Sequence, residues 1–307
     1  MITLAVLRYI LMIVLSLLLV GIAGKVKAAY CGRYGEPLLQ PFFELARLVQ
    51  RPSVVSPDAS WVFRLAPTVT LATVMCAAAV IPAGAGKALL AFDGDFIFFV
   101  YVIALGRFFT VLATLDTDSN SGALGAGRYV YFAALMEPAF FIITAALAAL
   151  NGKTSLSDIY TYHHSGLPVA AACAMLTLMM ALVIEAGRMP IDDPANLNSL
   201  SVVNDSRPLH YSGIDLAMIQ LATATKLSMY ATLIAALIIP SNISTAAAIF
   251  IYIAIMFLIA VVIGLIESIS TRLATLHVAQ FIIGASAVAL IALSVATLSI
   301  ITQGGSR

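Results

Sequence analysis

Eight runs of about 20 apolar residues, each the length needed to cross the hydrocarbon core of a bilayer, govern what this chain can become. They lie at roughly 2–23, 62–83, 92–115, 129–150, 166–186, 214–239, 243–266 and 277–302. Runs this long and this poor in charge have no satisfactory soluble alternative. In lipid each must satisfy its own backbone hydrogen bonds, which a helix does. Composition agrees: 62% of residues are hydrophobic, 10% are charged, and the mean hydropathy is +1.03, far from the balance of a soluble domain. The chain reads as an all-α polytopic membrane protein with about eight transmembrane helices plus an inner-face amphipathic helix. No Pro/Gly/Ser-rich linker separates the runs, so residues 1–307 form a single integral membrane domain. The first run starts like a signal peptide but lacks a small-residue cleavage site and merges into a basic loop, the pattern of a retained span.

Basic residues set an orientation. If the first loop is cytoplasmic, the inner loops and their flanks hold Lys25, Lys27, Arg33, Arg47, Arg51, Arg64, Arg107, Arg128, Arg188, Arg207 and Arg272. The outer side keeps Arg8, Lys87, Lys153 and Arg307, with Lys226 inside a span. That bias predicts both termini outside and a multi-pass protein of a prokaryotic inner (cytoplasmic) membrane. A net charge of +1 and no basic run interleaved with aromatics leave nothing to hold nucleic acid.

Little in the chain suits redox or hydrolytic chemistry. Cys31, Cys76 and Cys173 are far apart, and no CxxC or Cys/His cluster exists to ligate zinc or an iron–sulfur centre. His163-His164 reads as an ordinary loop pair, and no phosphate-cradling glycine motif occurs between a strand and a helix. No metal site, catalytic residue or cofactor bound by this chain is expected.

Three inner segments carry most of the polar information. In 24–61, Phe42, Phe43, Leu45, Leu48 and Val49 recur at near-helical spacing around Glu44 and Arg47, after Pro41; that is an amphipathic helix at the interface, either a lipid-surface anchor or the rim of a docking platform. Segment 107–128 is rich in Gly, Asn and Asp and reads as a turn-rich loop. Segment 187–213 is the longest polar stretch of the second half, and loops of that size usually bind something. It follows Glu185-Ala186-Gly187-Arg188-Met189-Pro190-Ile191-Asp192-Asp193-Pro194, where three carboxylates and a guanidinium sit at the edge of a span. Ionisable groups there are costly, and two prolines stop the helix and favour an extended turn. Inside spans, Glu137 precedes Pro138, which frees a backbone carbonyl and makes room for water, and Lys226 sits mid-span; each is a candidate for a proton path or for a structural ion pair. Glu185 and Glu267 stand at inner ends.

Several separated motifs resemble one family. Gly32-Arg33-Tyr34-Gly35-Glu36-Pro37-Leu38-Leu39-Gln40-Pro41-Phe42-Phe43-Glu44-Leu45, then Val54 to Arg64, Ala104-Leu105-Gly106-Arg107-Phe108-Phe109, Leu115-Asp116-Thr117, Glu137-Pro138, Glu185 to Pro194 and Tyr211-Ser212-Gly213-Ile214-Asp215-Leu216-Ala217 resemble the hydrogenase-4 component C and formate hydrogenlyase subunit 4 family. That family is related to the H subunit of respiratory complex I. The resemblance spans about residues 20–280.

The resemblance implies a non-catalytic subunit of an oxidoreductase complex. It would hold a soluble redox arm, with an iron–sulfur subunit and a [NiFe]-hydrogenase-like large subunit, onto antiporter-like membrane subunits. Cofactors would then be iron–sulfur clusters and a Ni–Fe centre on the partners, and complex I adds quinone as an option. By matching position, Glu137, Glu185, Asp192 and Glu267 would be the acidic members of a proton path and Lys226 its basic member. Arg33, Glu44, Arg107, Asp116, Arg128, Arg188, Asp193 and Asp215 would order the inner-face loops and docking surface.

Three departures qualify the match. Where relatives carry a Glu-containing helix after Asp193-Pro194-Ala195, this chain reads Asn196 to Asp205, with Ser199 at the carboxylate position. Tyr129 stands where the family's Ser-Arg-Glu has its acid, and Glu36 stands where proline is usual. Lost carboxylates are lost titratable sites. They motivate a second reading, an assembly-only anchor without coupling through this subunit. A free-standing ion transporter is a third, disfavoured because no inverted repeat or pair of broken helices is visible.

Overall fold

The computed structural model of the chain describes residues 2–54, 59–84, 86–117, 120–161, 168–185, 187, 191–192, 211–240, 243–269 and 273–304. Eight of its helices are long and apolar enough to cross a membrane: α1 (Ile2–Tyr30), α3 (Trp61–Ala79), α4 (Asp95–Asp116), α5 (Asn120–Asn151), α7 (Pro168–Glu185), α8 (Gly213–Ile238), α9 (Thr245–Ile269) and α10 (Thr275–Gly304). Each expected span coincides with one of them. The remaining helices among the described residues are α2 (Gln40–Val49) and α6 (Leu156–Thr161).

The bundle is built around α8. In its most apolar window 83% of residues are buried, against 28% for α4 and for α10. Small residues make that possible: Ala222, Ala231, Ala235 and Ala236 are fully enclosed and let neighbouring backbones approach. Helices α1, α3 and α7 pack directly on α8; α9 lies against α1, α4 against α3, and α10 against α5 and α7. The α3–α4 seam is close because Gly106 has no side chain where Thr73 sits, and the hydroxyls of Thr70 and Thr110 meet across it at 2.9 Å. Ser60 caps α3 by accepting from the Val62 N–H at 3.2 Å, the usual relief for an unpaired first-turn donor. The Ser60 N–H in turn donates to Asp116 at 2.8 Å, which ties the start of α3 to the end of α4.

Helix α2 is the expected amphipathic element. Pro41 occupies its first turn, where a missing N–H costs nothing. Leu48 is buried while Phe43 and Val49 are exposed, as suits a helix lying at an apolar–polar boundary.

Segment 107–128 corrects the expectation of a turn-rich loop. Helix α4 continues to Asp116 and α5 already runs from Asn120, so its Gly-rich stretch is helical. Composition misleads here because glycine is well tolerated in membrane helices, where no water competes for the backbone. Helix α6 has no counterpart among the expected elements. It is pinned at its start by Asp95, which accepts from the Ser155 hydroxyl at 2.9 Å and the Leu156 N–H at 2.5 Å. Beyond α7, β1 (Ile191–Asp192) pairs in parallel with β2 (Leu273–Ala274), tying the segment after α7 to the start of α10. That extended pair lies in the stretch where Pro190 and Pro194 predict extended backbone.

Candidate functional site

A buried ion cluster lies where α4, α5 and α7 meet. Arg107 projects from α4, nine residues before the helix ends, and is 7% exposed. Its guanidinium donates from Nη1 to Oε1 of Glu137 on α5 and from Nη2 to Oε1 of Glu185, the last residue of α7, at 2.7 Å. A guanidinium suits this position because its planar fork serves two carboxylates at once. The Glu185 side chain is 4% exposed and that of Glu137 34%, so the Glu185 pair is shielded from water and the Glu137 pair only partly. Pro138 follows Glu137 inside α5 and removes one helical donor beside the cluster. Phe99, Phe140 and Tyr230 join the three charged residues around a cavity of about 20 Å³, room for one water molecule.

A second feature adjoins the first. A chamber of about 630 Å³ lies between α1, α2, α3, α4 and α8. Ala66, Pro67, Leu45 and Ile219 give it apolar walls, Thr70, Thr110 and Thr114 line one side, and Lys25, Arg33, Glu36 and Glu44 bring charge to it. Lys226 of α8 also faces the chamber, and its ammonium donates to the hydroxyl of Tyr129 on α5 at 3.3 Å. The Arg107 guanidinium lies 5.8 Å from the centre of the Tyr129 ring, within cation–π range. Tyr129 thus touches one cation with its hydroxyl and another with its ring.

The other expected residues are dispersed. Glu267 on α9 pairs with Lys27 on α1 at 3.7 Å, on a seam separate from the Arg107 cluster. Asp116 serves as the tie to Ser60. Glu44 and Arg47 form a wet 3.9 Å pair within α2, and Arg33 lines the chamber. Arg128 is half-buried on α5. Asp215 lies in the first turn of α8, hydrogen-bonded by Ser53. Asp192 is described in its backbone pairing alone; Arg188, Asp193 and Ser199 lie outside the described residues, as do His163 and His164.

Arg107 requires a correction. Expected with the inner-face loops, it is instead the centre of the buried cluster, because α4 carries it well inside the bundle and Glu137 and Glu185 converge on it. A signal for this exists in the chain: an arginine within an apolar run needs an acidic partner. Tyr129 stands out in the sequence only for the carboxylate it replaces, and its two cation contacts emerge from the fold. Tyr211 is marked in the sequence only as the first residue of the Tyr211–Ala217 motif; it stacks on Phe63 with ring centres 4.2 Å apart and donates to the Phe63 carbonyl at 3.1 Å. Burial, reinforced by the carboxylates of Asp215 and Asp116, pushes its phenol above the usual range. Among the described residues no group of three or more His, Cys, Asp or Glu is placed to hold a metal ion.

Comparison with known proteins places this arrangement in a family. The model of the family described as NADH dehydrogenase matches residues 2–301. Hydrogenase-4 component C of Escherichia coli (strain K12) is 29% identical over 234 residues, 75% of this chain and 73% of that protein. Formate hydrogenlyase subunit 4 of the same organism is 34% identical over 179 residues, 57% of this chain and 58% of its own length. The H subunit of the NADH-quinone oxidoreductase of Anaplasma phagocytophilum (strain HZ) is a more distant relative, 26% identical over 201 residues, 59% of this chain and 57% of that protein. A chain in the structure of the membrane-bound sulfane sulfur reductase (MBS), an archaeal respiratory membrane complex, shares the fold with a TM-score of 0.78 at 18% identity, covering 95% of this chain and 99% of that one. The chain is a multi-pass helical membrane protein that belongs to the NADH dehydrogenase family, homologous to hydrogenase-4 component C and formate hydrogenlyase subunit 4 and distantly related to the H subunit of complex I.

Proposed function

We propose that this chain is a membrane subunit of a hydrogenase or complex-I-like respiratory assembly. It anchors the soluble redox arm to an antiporter-like membrane arm and carries part of a proton path between them. The observation that carries the reading is the Arg107–Glu137–Glu185 cluster, three ionisable groups held together inside a lipid-embedded bundle beside a chamber. Burying such a set is not needed for stability, since apolar residues fill the same volume at lower cost. Charged groups kept inside a membrane bundle mark ion and proton paths.

In this reading the face bearing α2, the α1–α2 segment and the starts of α3 and α8 is cytoplasmic, both termini lie outside, and Arg33, Glu44, Asp193 and Arg188 belong to the docking surface. Glu185 and Asp192 respond to a nearby redox event, and Glu137, Glu267 and Lys226 carry the change further. Iron–sulfur clusters and the Ni–Fe centre reside on the partners. The chamber has the volume of a small-molecule site and sets cationic donors among apolar walls, so its residues fit a quinone head group; Lys25 and Arg33 would donate to its carbonyl oxygens, and the group would supply electron acceptance at that point. The reading as an assembly-only anchor is favoured by one observation, Ser199 and Tyr129 standing where relatives carry carboxylates.

Affinity purification of the tagged chain from its native membrane, in mild detergent, tests the assembly. Co-isolation of soluble iron–sulfur proteins together with large antiporter-like membrane proteins is expected. Recovery of the chain without either overturns the proposal in favour of a free-standing transporter.

A further inference from the structure

The charges around Tyr129 add up in an informative way. Arg107 with Glu137 and Glu185 leaves one net negative charge inside the bundle, a state that hydrocarbon surroundings penalise. Lys226, mostly buried, supplies the balancing positive charge, and it reaches the cluster through Tyr129. Tyr129 is shaped for this. Its hydroxyl oxygen accepts from an ammonium while its ring face lies within range of the guanidinium. A carboxylate at that position would take both cations as salt bridges and leave the set one charge negative again.

Lys226 is also the one member of the set that faces the 630 Å³ chamber. Its four-carbon stem is flexible and its charged head strongly hydrated, so it has somewhere to go. Arg107, forked between two acids on two helices, does not.

We propose that Tyr129 is a positioning residue that holds Lys226 as the removable counter-ion of the Arg107–Glu137–Glu185 cluster. With both carboxylates ionised, the ammonium rests on the Tyr129 hydroxyl. When one carboxylate takes up a proton, forming a single O–H bond on Glu137 or Glu185, the set becomes net positive. Lys226 keeps its own proton and withdraws into the chamber, where Glu36 and Glu44 are the acidic groups lining the wall and Lys25 and Arg33 the basic ones. The cluster's protonation state is thereby displayed inside the chamber. Among the described residues, the polar groups that face the two carboxylates are Arg107 from α4 and Tyr230 from α8, with Tyr129 of α5 beyond the guanidinium. This inference rests on the coupling reading above for its biological sense, but its test is independent of transport.

The test is infrared spectroscopy of the purified complex in detergent, following the protonated-carboxyl band at fixed neutral pH. Lys226→Met removes the balancing charge, and the protonated-to-ionised ratio should rise by up to about tenfold, the consequence expected of losing one nearby opposite charge. Tyr129→Phe keeps the ring under Arg107 and should move the band the same way. Added to Lys226→Met it should change the ratio by no more than about twofold, since both act through one contact. Lys226→Arg retains the charge and should leave the band as in the wild type, which separates loss of charge from loss of fold. Glu185→Gln and Glu137→Gln identify which carboxyl contributes. An unchanged band in Lys226→Met, or a Tyr129→Phe effect that persists in full without Lys226, overturns the proposal. Loss of transport with no infrared change would retain the coupling reading and sink this one alone.

Discussion

Replacing Arg107 by Met tests the cluster most sharply, because the change keeps the apolar bulk of the side chain and removes only the guanidinium. Glu185, 4% exposed, then loses the cation that pairs with it. Stripping one partner from a buried pair costs about 3–5 kcal/mol. Glu137 contributes far less, because its side chain is 34% exposed and solvent screens it; its share is about 0–1 kcal/mol. The variant has one escape, taking up a proton. For an ordinary glutamate near 4.3, holding the carboxyl protonated at pH 7 costs about 3.7 kcal/mol, which caps the loss. The expected deficit is therefore about 3–4 kcal/mol, and it shrinks as the pH falls, because a proton then supplies what the guanidinium did. Thermal unfolding in detergent reads this as a drop in Tm of roughly 6–8 °C, taking about 2 °C per kcal/mol for a chain of this size. Adding Glu185→Gln should recover about half of the loss, since the stranded charge is gone. A Tm within about 2 °C of the wild type, a deficit independent of pH, or no recovery in the double variant would each refute the reasoning.

Other consequences follow from particular residues. Gly213 opens α8 at φ +57, and a Cβ there would lie 2.6 Å from the Arg51 and Pro52 carbonyl oxygens; Gly213→Ala should cost about 1–3 kcal/mol in chemical or thermal unfolding. The phenol of Tyr211 is raised above its unfolded value near 10, so its contribution is intact below that pH and is lost as pH rises toward the folded value. Tyr211→Phe should accordingly flatten the alkaline limb of the stability–pH profile while leaving the Phe63 stack in place. The Lys27–Glu267 pair is half-screened, the lysine side chain 55% exposed but that of the glutamate only 8%; Lys27→Met leaves a buried acid without this cation and should cost about 1–3 kcal/mol in thermal unfolding.

The spans are legible in the sequence because bilayer thickness sets a length and hydropathy marks it. Helix α2 is legible because Phe42, Leu45, Leu48 and Val49 recur at the helical period. The 107–128 segment is not, since glycine and asparagine signal turns in water yet pass as helix in lipid, where backbone hydrogen bonding dominates. Glu137, Glu185 and Arg107 all stand out as charges in or beside apolar runs, but their pairing does not. That Arg107 bridges them depends on the crossing of α4, α5 and α7, a tertiary fact with no local signature. Tyr129 is hidden for a related reason: a tyrosine among apolar residues is ordinary until a lysine 97 positions later donates to it. The Ile191–Asp192 pairing with Leu273–Ala274 likewise joins segments that share no pattern in the chain.

If the carboxylates on Arg107 take part in coupling redox turnover to proton movement, removing either one must uncouple the two. The most direct measurement is the number of protons translocated per electron in inverted membrane vesicles containing the assembled complex, for wild type, Glu137→Gln and Glu185→Gln. Undiminished assembly and redox turnover are predicted, with the ratio reduced by about tenfold or more in each variant, as expected when a positioned proton-exchanging group is removed. A ratio equal to the wild type's in both variants would contradict that role and leave this chain an anchor alone.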